Sequence, residues 1–358
     1  MRMALRLAGK ARGRTSPNPM VGAVVVKGGR VIASGYHKQA GEPHAEAIAL
    51  QKAGDAAKGA TLYVTLEPCS HTNKRTPPCS PLVIQSGVKR IVIAMADPNP
   101  KVSGGGIRAI KKAGLEMVTG ILEAEARQLN EAFIKHVSKK VPFVTLKIAQ
   151  TLDGKIATET GESKWITGKE ARKAGHRLRD QNDAILVGIN TVLTDDPSLT
   201  VRFAGGRDPL RVVVDSSLRI PLKAKVVTQR SVARTIIATL PSAPRDKIMK
   251  LKAAGAEIVL VKSDKGRVDL RDLMKKFGRM GIMSVLVEGG AEIHASALKS
   301  GIVDKVVMYI APTLMTGTDS VCSVGGSSPK KLAQAIALAN ITTRFVGKDL
   351  MVEGYIRK

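Results

Sequence analysis

Two apolar, β-branched runs, Val21–Val26 and Val31–Gly35, are separated by Lys27-Gly28-Gly29, a spacing that predicts a β-hairpin. A helix is expected from about His44 to Ala53, strands at Thr61–Thr65 and Arg90–Ala94, and a helix at Ile107–Ala113. Gly104-Gly105-Gly106 reads as a loop ahead of that helix. The alternation predicts an α/β layered sandwich. At Val137-Ser138-Lys139-Lys140-Val141-Pro142 the pattern breaks into a short basic segment ending in proline, which divides the chain into domains 1–141 and 142–358. Strands are then expected at Phe143–Ala149, Ala184–Val187, Leu210–Asp215, Thr235–Ala238, Glu257–Val261, Ser284–Val287 and Lys305–Ile310, with helical segments between several of them. This second α/β pattern predicts a largely parallel sheet with binding loops at its strand ends.

A chain of 358 residues, 44% hydrophobic and 24% charged, is large enough for two domains with separate cores. No apolar run has the length of a bilayer span. Met1–Lys10 alternates apolar and basic residues at helical spacing, unlike a secretory signal. Three cysteines, Cys69, Cys79 and Cys322, make no disulfide framework and fit a reducing compartment. The expectation is a cytoplasmic protein without membrane association. A net charge of +27 favours anionic partners, whether phosphorylated metabolites, NADPH or nucleic acid. With 3% aromatic residues, however, a platform for stacking unpaired bases is poorly supplied. A lysine-rich solvated surface accounts for the charge as well, so charge selects no partner.

The chemistry is carried first by His44-Ala45-Glu46 at a helix start, with Pro68-Cys69 and Pro78-Cys79 downstream. One imidazole and two thiolates are a zinc ligand set that leaves a fourth position for water, which the metal acidifies. Glu46, two residues beyond the histidine, can reach that water and carry its proton without binding the metal. His-x-Glu followed by Pro-Cys and a second cysteine is the signature of zinc nucleobase deaminases. Each part alone has a plainer reading, a helix start or a buried thiol; the combination in this order points to zinc.

In the second half, Val285-Leu286-Val287-Glu288-Gly289-Gly290-Ala291 is an apolar strand running into paired glycines and a helix, which suits a phosphate-bearing ligand or simply a tight turn. Gly168-Lys169 is followed by Glu170 and is no P-loop, and no Rossmann Gly-x-Gly-x-x-Gly follows a first strand.

Thr15-Ser16-Pro17-Asn18-Pro19-Met20-Val21-Gly22, Gly35-Tyr36-His37, His44-Ala45-Glu46, Pro68-Cys69-Ser70-His71 and Arg75-Thr76-Pro77-Pro78-Cys79 closely resemble the deaminase half of the bifunctional deaminase–reductases of riboflavin biosynthesis. The reductase half of that family is resembled by Leu146–Ala157, Ser163–Gly168, Asp183–Thr191, Asp195–Arg202 and the Glu288-Gly289-Gly290 segment. The resemblance implies a cytidine-deaminase-like α/β/α sandwich followed by a dihydrofolate-reductase-like α/β domain, using zinc and NADPH. It also implies the reaction sequence. A diaminopyrimidinone carrying a phosphoribosylamino group is hydrolytically deaminated to 5-amino-6-(5-phosphoribosylamino)uracil, whose ribosyl group is then reduced to a ribityl chain.

Carried over position by position, the resemblance assigns the first substrate to Asn18, His37, His71 and Arg75, the last beside the phosphate. Asn18 as a turn residue and the other three as solvated surface are the plain alternatives. NADPH is assigned to Ala149, Trp165, Thr191, Asp195, Ser217 (with Ser216 as the alternative), Gly290, Ala291, Glu292, Ile293, His294, Ala295 and Ser296. The second substrate is assigned to Ser163, Arg179, Leu199, Arg202 and Glu288, with Lys147 on a strand that can face the site. The two arginines suit a phosphate clamp or a solvated surface, and Trp165 a nicotinamide wall or a core position. The implied partner is a phosphorylated pyrimidine and not nucleic acid, with homo-oligomerisation through the reductase domain. A tRNA-type deaminase and a zinc-stabilised nucleic-acid module remain rivals. Against the first stands the long spacing between the cysteines, nine residues; the second requires a fourth protein ligand and no role for Glu46.

Overall fold

The computed structural model describes residues 1–70, 77–99 and 104–357, which fall into two compact units, Met1–Lys140 and Val141–Lys358. In the first unit the order is α1 (Arg2–Gly9), β1 (Gly22–Lys27), β2 (Arg30–Tyr36), α2 (Ala45–Ala53), β3 (Thr61–Val64), α3 (Cys79–Gln85), β4 (Arg90–Ile93), α4 (Gly105–Lys112), β5 (Glu116–Thr119), α5 (Glu123–Leu129) and α6 (Glu131–Lys139). The strands form a five-stranded sheet ordered β2-β1-β3-β4-β5. β1 and β2 are the expected antiparallel hairpin, closed where Lys27 pairs with Arg30 across Gly28-Gly29, while β3, β4 and β5 are parallel. The core runs through Leu62, Val64, Ile91 and Ile93, all fully buried, and through Ala45, Ala49 and Leu50 of α2.

The triglycine is not the loop expected from sequence. Gly104 is the N-cap of α4, and Gly105 and Gly106 form its first turn. The reason is a close approach: a Cβ on Gly106 would stand 1.9 Å from the Pro68 carbonyl oxygen, so only glycine lets the helix start rest on that segment.

The second unit contains β6 (Phe143–Thr151), β7 (Lys155–Ala157), α7 (Lys169–Gln181), β8 (Ala184–Gly188), α8 (Ile189–Asp195), β9 (Leu210–Val214), α9 (Lys225–Thr228), β10 (Thr235–Thr239), α10 (Arg245–Ala253) and β11 (Glu257–Leu260). There follow β12 (Ser263–Asp264), β13 (Arg267–Val268), α11 (Leu270–Arg279), β14 (Ser284–Val287), α12 (Ala291–Lys299), β15 (Lys305–Ala311), β16 (Val321–Cys322), β17 (Leu338–Val346) and β18 (Asp349–Ile356). Nine strands form one sheet ordered β11-β10-β9-β8-β14-β6-β15-β18-β17. From β11 to β15 every neighbour is parallel; β18 then runs antiparallel to both β15 and β17.

Along β8, Ala184 and Leu186 enter one apolar cluster and Ile185 and Val187 another, so this central strand is buried on both faces. Two-sided burial explains its unbroken apolar run. The first cluster is closed by α11, whose Leu270, Leu273, Met274 and Phe277 repeat at helical spacing. Asp269 caps that helix by accepting from the N–H groups of Arg271 and Asp272. Phe277 is among the largest fully buried side chains. Phe277→Ala is expected to cost about 3–5 kcal/mol and to lower the unfolding midpoint of this unit by on the order of 10 °C, measured by calorimetry.

Candidate metal centre and candidate reductase cleft

In the first unit, His44 sits in extended conformation at the N-cap of α2, and Cys79 is the first residue of α3 behind Pro78. Cys69 lies beyond the end of β3 and is fixed by the start of α3. Its carbonyl accepts from the Ser80 N–H at 3.0 Å and from Ser80 Oγ at 3.1 Å, and its Sγ from the Cys79 N–H at 3.4 Å. The ligand atoms of His44, Cys69 and Cys79 lie within 4.8 Å of one another, with His44 Nδ1 at 3.1 Å from Cys79 Sγ and 3.6 Å from Cys69 Sγ. Tetrahedral zinc holds such atoms roughly 3.5 Å apart, so the donor set fits that ion in both chemistry and spacing. A hydrogen bond to Cys69 and burial push the Cys79 thiol well above its ordinary pKa, a frustration that a bound cation removes.

Glu46 is 3% exposed, and its Oε2 has no hydrogen-bond partner among the described residues. Burial raises its pKa to about 7, against the opposing pull of its own backbone N–H and of His44. His37, also buried, packs edge-on against His44 with ring centroids 5.4 Å apart. The Pro43 carbonyl can only accept, so His37 Nδ1 donates to it at 3.2 Å, and Nε2 accepts from Asn18 Nδ2 at 3.1 Å. Asn18 and His37 thus lie beside the metal ligands, whereas His71 and Arg75 fall outside the described residues.

Sequence reasoning passed over Glu67. This buried carboxylate accepts from the N–H groups of Asp97, Gly104, Gly106 and Ile107 at 2.9–3.1 Å and so clasps the start of α4 two residues before Cys69. Its signal was a glutamate set directly between an apolar strand end and Pro68-Cys69.

In the second unit a cleft of about 1150 Å³ opens at the ends of β8, β9 and β14. All the residues assigned there from sequence line it except Ala295. Ala295 turns towards Gly326 instead, where an added Cβ would stand 3.1 Å from it. Gly290 caps α12, and its N–H donates to Thr191 Oγ1 at 3.2 Å. Gly289 has φ 137°, and a Cβ there would lie 2.9 Å from Thr191 Oγ1, so the glycines bring backbone N–H groups to the cleft wall. Ser216 and Ser217 both line the cleft, with Ser216 Oγ engaged by the Val268 N–H. Trp165 is 64% exposed and holds no core position.

Glu288 follows β14 and meets Arg179 of α7 as a fork, with Nε–Oε1 at 3.0 Å and Nη2–Oε2 at 2.8 Å; Lys147 Nζ lies 3.9 Å away. Burial opposes ionisation of Glu288, yet Arg179 and Lys147 outweigh it and hold the pKa at about 2. Burial also lowers the pKa of Lys147, partly offset by Glu288. Arg179 gives a further N–H to the Thr200 carbonyl, so its fork serves Glu288 before any phosphate. Arg202, by contrast, is exposed. Arg172, Gly175 and His176 line the cleft on the same face of α7 as Arg179, and sequence reasoning took only the last; the i, i+3/i+4, i+7 spacing was the available signal.

A histidine–dicysteine set with both thiols buried beside an ionisable carboxylate, joined to a parallel-sheet unit with a glycine-walled cleft of this size, defines a zinc deaminase fused to a reductase. Residues 1–95 match the cytidine and deoxycytidylate deaminase zinc-binding region, and residues 142–351 the RibD C-terminal domain. The riboflavin biosynthesis protein RibD of Aquifex aeolicus (strain VF5) is 46% identical over 353 residues, 98% of this chain and 96% of the relative. That of Escherichia coli (strain K12) is 41% identical over 365 residues, with 98% and 96% covered. Among solved structures, Acinetobacter baumannii RibD, form 1, superposes with a TM-score of 0.89 at 35% identity, covering 100% of this chain and 98% of that one. The Thermotoga maritima diaminohydroxyphosphoribosylaminopyrimidine deaminase/5-amino-6-(5-phosphoribosylamino)uracil reductase gives 0.85 at 39% identity, with 100% and 97% covered. The chain belongs to the RibD family of riboflavin biosynthesis proteins, with a zinc-binding deaminase unit and a reductase unit of the NADPH-using type.

Because Glu288 is held ionised, its contribution to stability is present above its ordinary pKa of 4.5 and is lost as pH falls towards about 2. Denaturant titrations should show the second unit losing on the order of 3 kcal/mol across that window. Glu288→Gln, which leaves Arg179 and Lys147 without their counter-charge, should be less stable at pH 7 by about 3–5 kcal/mol and should lose most of this acid dependence.

Proposed function

We propose that the first unit hydrolytically deaminates 2,5-diamino-6-(5-phosphoribosylamino)pyrimidin-4(3H)-one to 5-amino-6-(5-phosphoribosylamino)uracil. The second unit then reduces the ribosyl group of that product to a ribityl chain. The name of the Thermotoga maritima relative supports this pair of reactions. The observation that carries the reading is the His44, Cys69 and Cys79 set, with both thiols buried, beside the Oε2 of Glu46, which has no partner among the described residues.

When bound, zinc supplies Lewis acidity to the first reaction and NADPH supplies reducing equivalents to the second. His44, Cys69 and Cys79 hold the metal. Glu46, with its pKa at about 7, takes up a proton and returns it to the pyrimidine ring and the departing ammonia. Asn18 and His37 orient the pyrimidine, and the family resemblance adds His71 and Arg75 to the residues that bind it. In the reductase cleft Ala149, Trp165, Thr191, Asp195, Ser217 and the helix start from Gly290 hold NADPH. Ser163, Arg202 and Leu199 take the substrate, while Arg179 and Lys147 set the charge of Glu288 beside it. The ligand is a phosphorylated small molecule rather than nucleic acid, in a cytoplasmic enzyme; no helix among the described residues is long and apolar enough to cross a membrane.

Mass spectrometry of the diaminopyrimidinone incubated with pure protein tests both steps. Deaminated product is expected without NADPH, and its ribityl form only with NADPH. Glu46→Gln should keep stoichiometric zinc by metal analysis while deamination falls at least about a hundredfold; full activity in that variant would remove Glu46 from the chemistry.

The enzyme is a homo-oligomer through its reductase unit. In support, β17 is an edge strand nine residues long that exposes Ile341 by 57% and Phe345 by 76%. Such an edge is ready to pair with another chain. Light scattering should find an oligomer that Phe345→Lys dissociates; a monomeric native protein would end this reading.

A further inference from the structure

Trp165 exposes 64% of its surface although the chain contains one tryptophan and an indole is ordinarily buried. The ring does not hang free. The Arg172 guanidinium carbon stands 4.4 Å from its centroid, within cation–π range. Arg172 is fixed at its base by α7 and at its head by a 2.7 Å hydrogen bond from Nη1 to the Thr167 carbonyl. One residue further on, the Gly168 N–H donates at 2.7 Å to Oδ2 of the fully buried Asp349. The segment that carries the indole is therefore tied to two fixed elements, and both Trp165 and Arg172 line the cleft.

A large exposed ring normally samples several rotamers and loses that freedom when a ligand orders it. A stacked guanidinium removes the freedom beforehand, so a ligand meets the ring already placed. Arginine suits this task because its planar fork can stack and hydrogen-bond at once, and it stays charged at every working pH; a lysine gives charge without the plane.

We infer that Arg172 is a positioning residue for the cofactor, holding the Trp165 indole as a preset platform for an aromatic ring of NADPH. The inference rests on the reading of Trp165 as a wall of the NADPH site.

The single tryptophan makes the test direct, since fluorescence anisotropy of the cofactor-free protein, excited at the red edge of indole absorption where the tyrosines do not absorb, reports Trp165 alone. In Arg172→Leu the anisotropy should fall towards that of a freely rotating indole. The Kd for NADPH, by calorimetry, should rise roughly threefold to thirtyfold, with kcat at saturating NADPH changed less than twofold. Arg172→Lys should recover only part of either effect. Unchanged anisotropy and unchanged Kd in Arg172→Leu would overturn the inference, as would loss of Kd, kcat and thermal stability together, which marks a merely structural role. Trp165→Leu separates the two readings. If it leaves the NADPH Kd at the native value, Trp165 is no cofactor wall and both readings fall; if it weakens binding while Arg172→Leu does not, only the role of Arg172 falls.

Discussion

Burial of the parallel strands on both faces is the constraint from which the rest of this molecule follows. In β8 and β14 the residues from Ala184 to Val187 and from Val285 to Val287 are at most 1% exposed. A polar side chain placed there would lose its water without gaining a partner. Chemistry is therefore displaced to the strand ends, where Gly188 closes β8 and Asp215 and Glu288 follow β9 and β14 around one cleft. Charged side chains within the strands, such as Arg211 of β9 and Lys147, are exceptions that hold a partner, and Lys147 shows how. It lies within β6, and its ammonium is tolerated because Glu288 stands within 3.9 Å. The smaller sheet obeys the same rule: Leu62 and Val64 of β3 are fully buried, and Glu67 and Cys69 come only after the strand has ended.

Three buried glutamates show how far environment, rather than residue type, decides what a carboxylate does. Glu288 is paired with a guanidinium fork and an ammonium and held at about 2, which makes it a permanent charge. Glu67 is satisfied by backbone N–H groups at the start of α4, so it acts as a clasp. Glu46 has one oxygen without a hydrogen-bond partner among the described residues and a pKa raised to about 7. Glu46, raised towards neutrality where Glu288 is lowered, is the one beside the metal ligands.

What could be read from the sequence follows the same physics. The apolar strands and the hairpin at Gly28-Gly29 were legible because burial leaves a local pattern. The metal set was legible because ligand chemistry restricts residue type and order. The C-terminal hairpin β17–β18 was not read, since most of β17 is exposed and has no apolar alternation to betray it. The helix start at the triglycine was hidden because glycine argues against a helix, and only the nearness of the Pro68 carbonyl explains it. The pairing of Arg179 with Glu288 spans 109 positions, so an arginine that suits a phosphate clamp gave no sign of being committed elsewhere. The rival reading as a nucleic-acid deaminase fell for a global reason: residues 142–351 are a reductase domain that such an enzyme does not require.

The net charge of +27 is partly explained by how the reductase cleft is furnished. Arg179 and Lys147, both half-buried, share the single carboxylate of Glu288, so the trio keeps one net positive charge at the cleft wall. Further attraction for anionic ligands comes from cations nearer solvent, among them Arg202, Arg219 and Lys164, and basic side chains outnumber acidic ones around the cleft. Lys164 and Lys225 face Asp195 and Asp196, so these partly cancel. The exposed arginines are the groups left to draw in a phosphate, and their field is the kind that salt screens. A half-buried ion pair that fixes the wall and exposed arginines that attract the ligand are separate uses of the same residue type, and the separation lets the cleft remain ordered before any anion arrives.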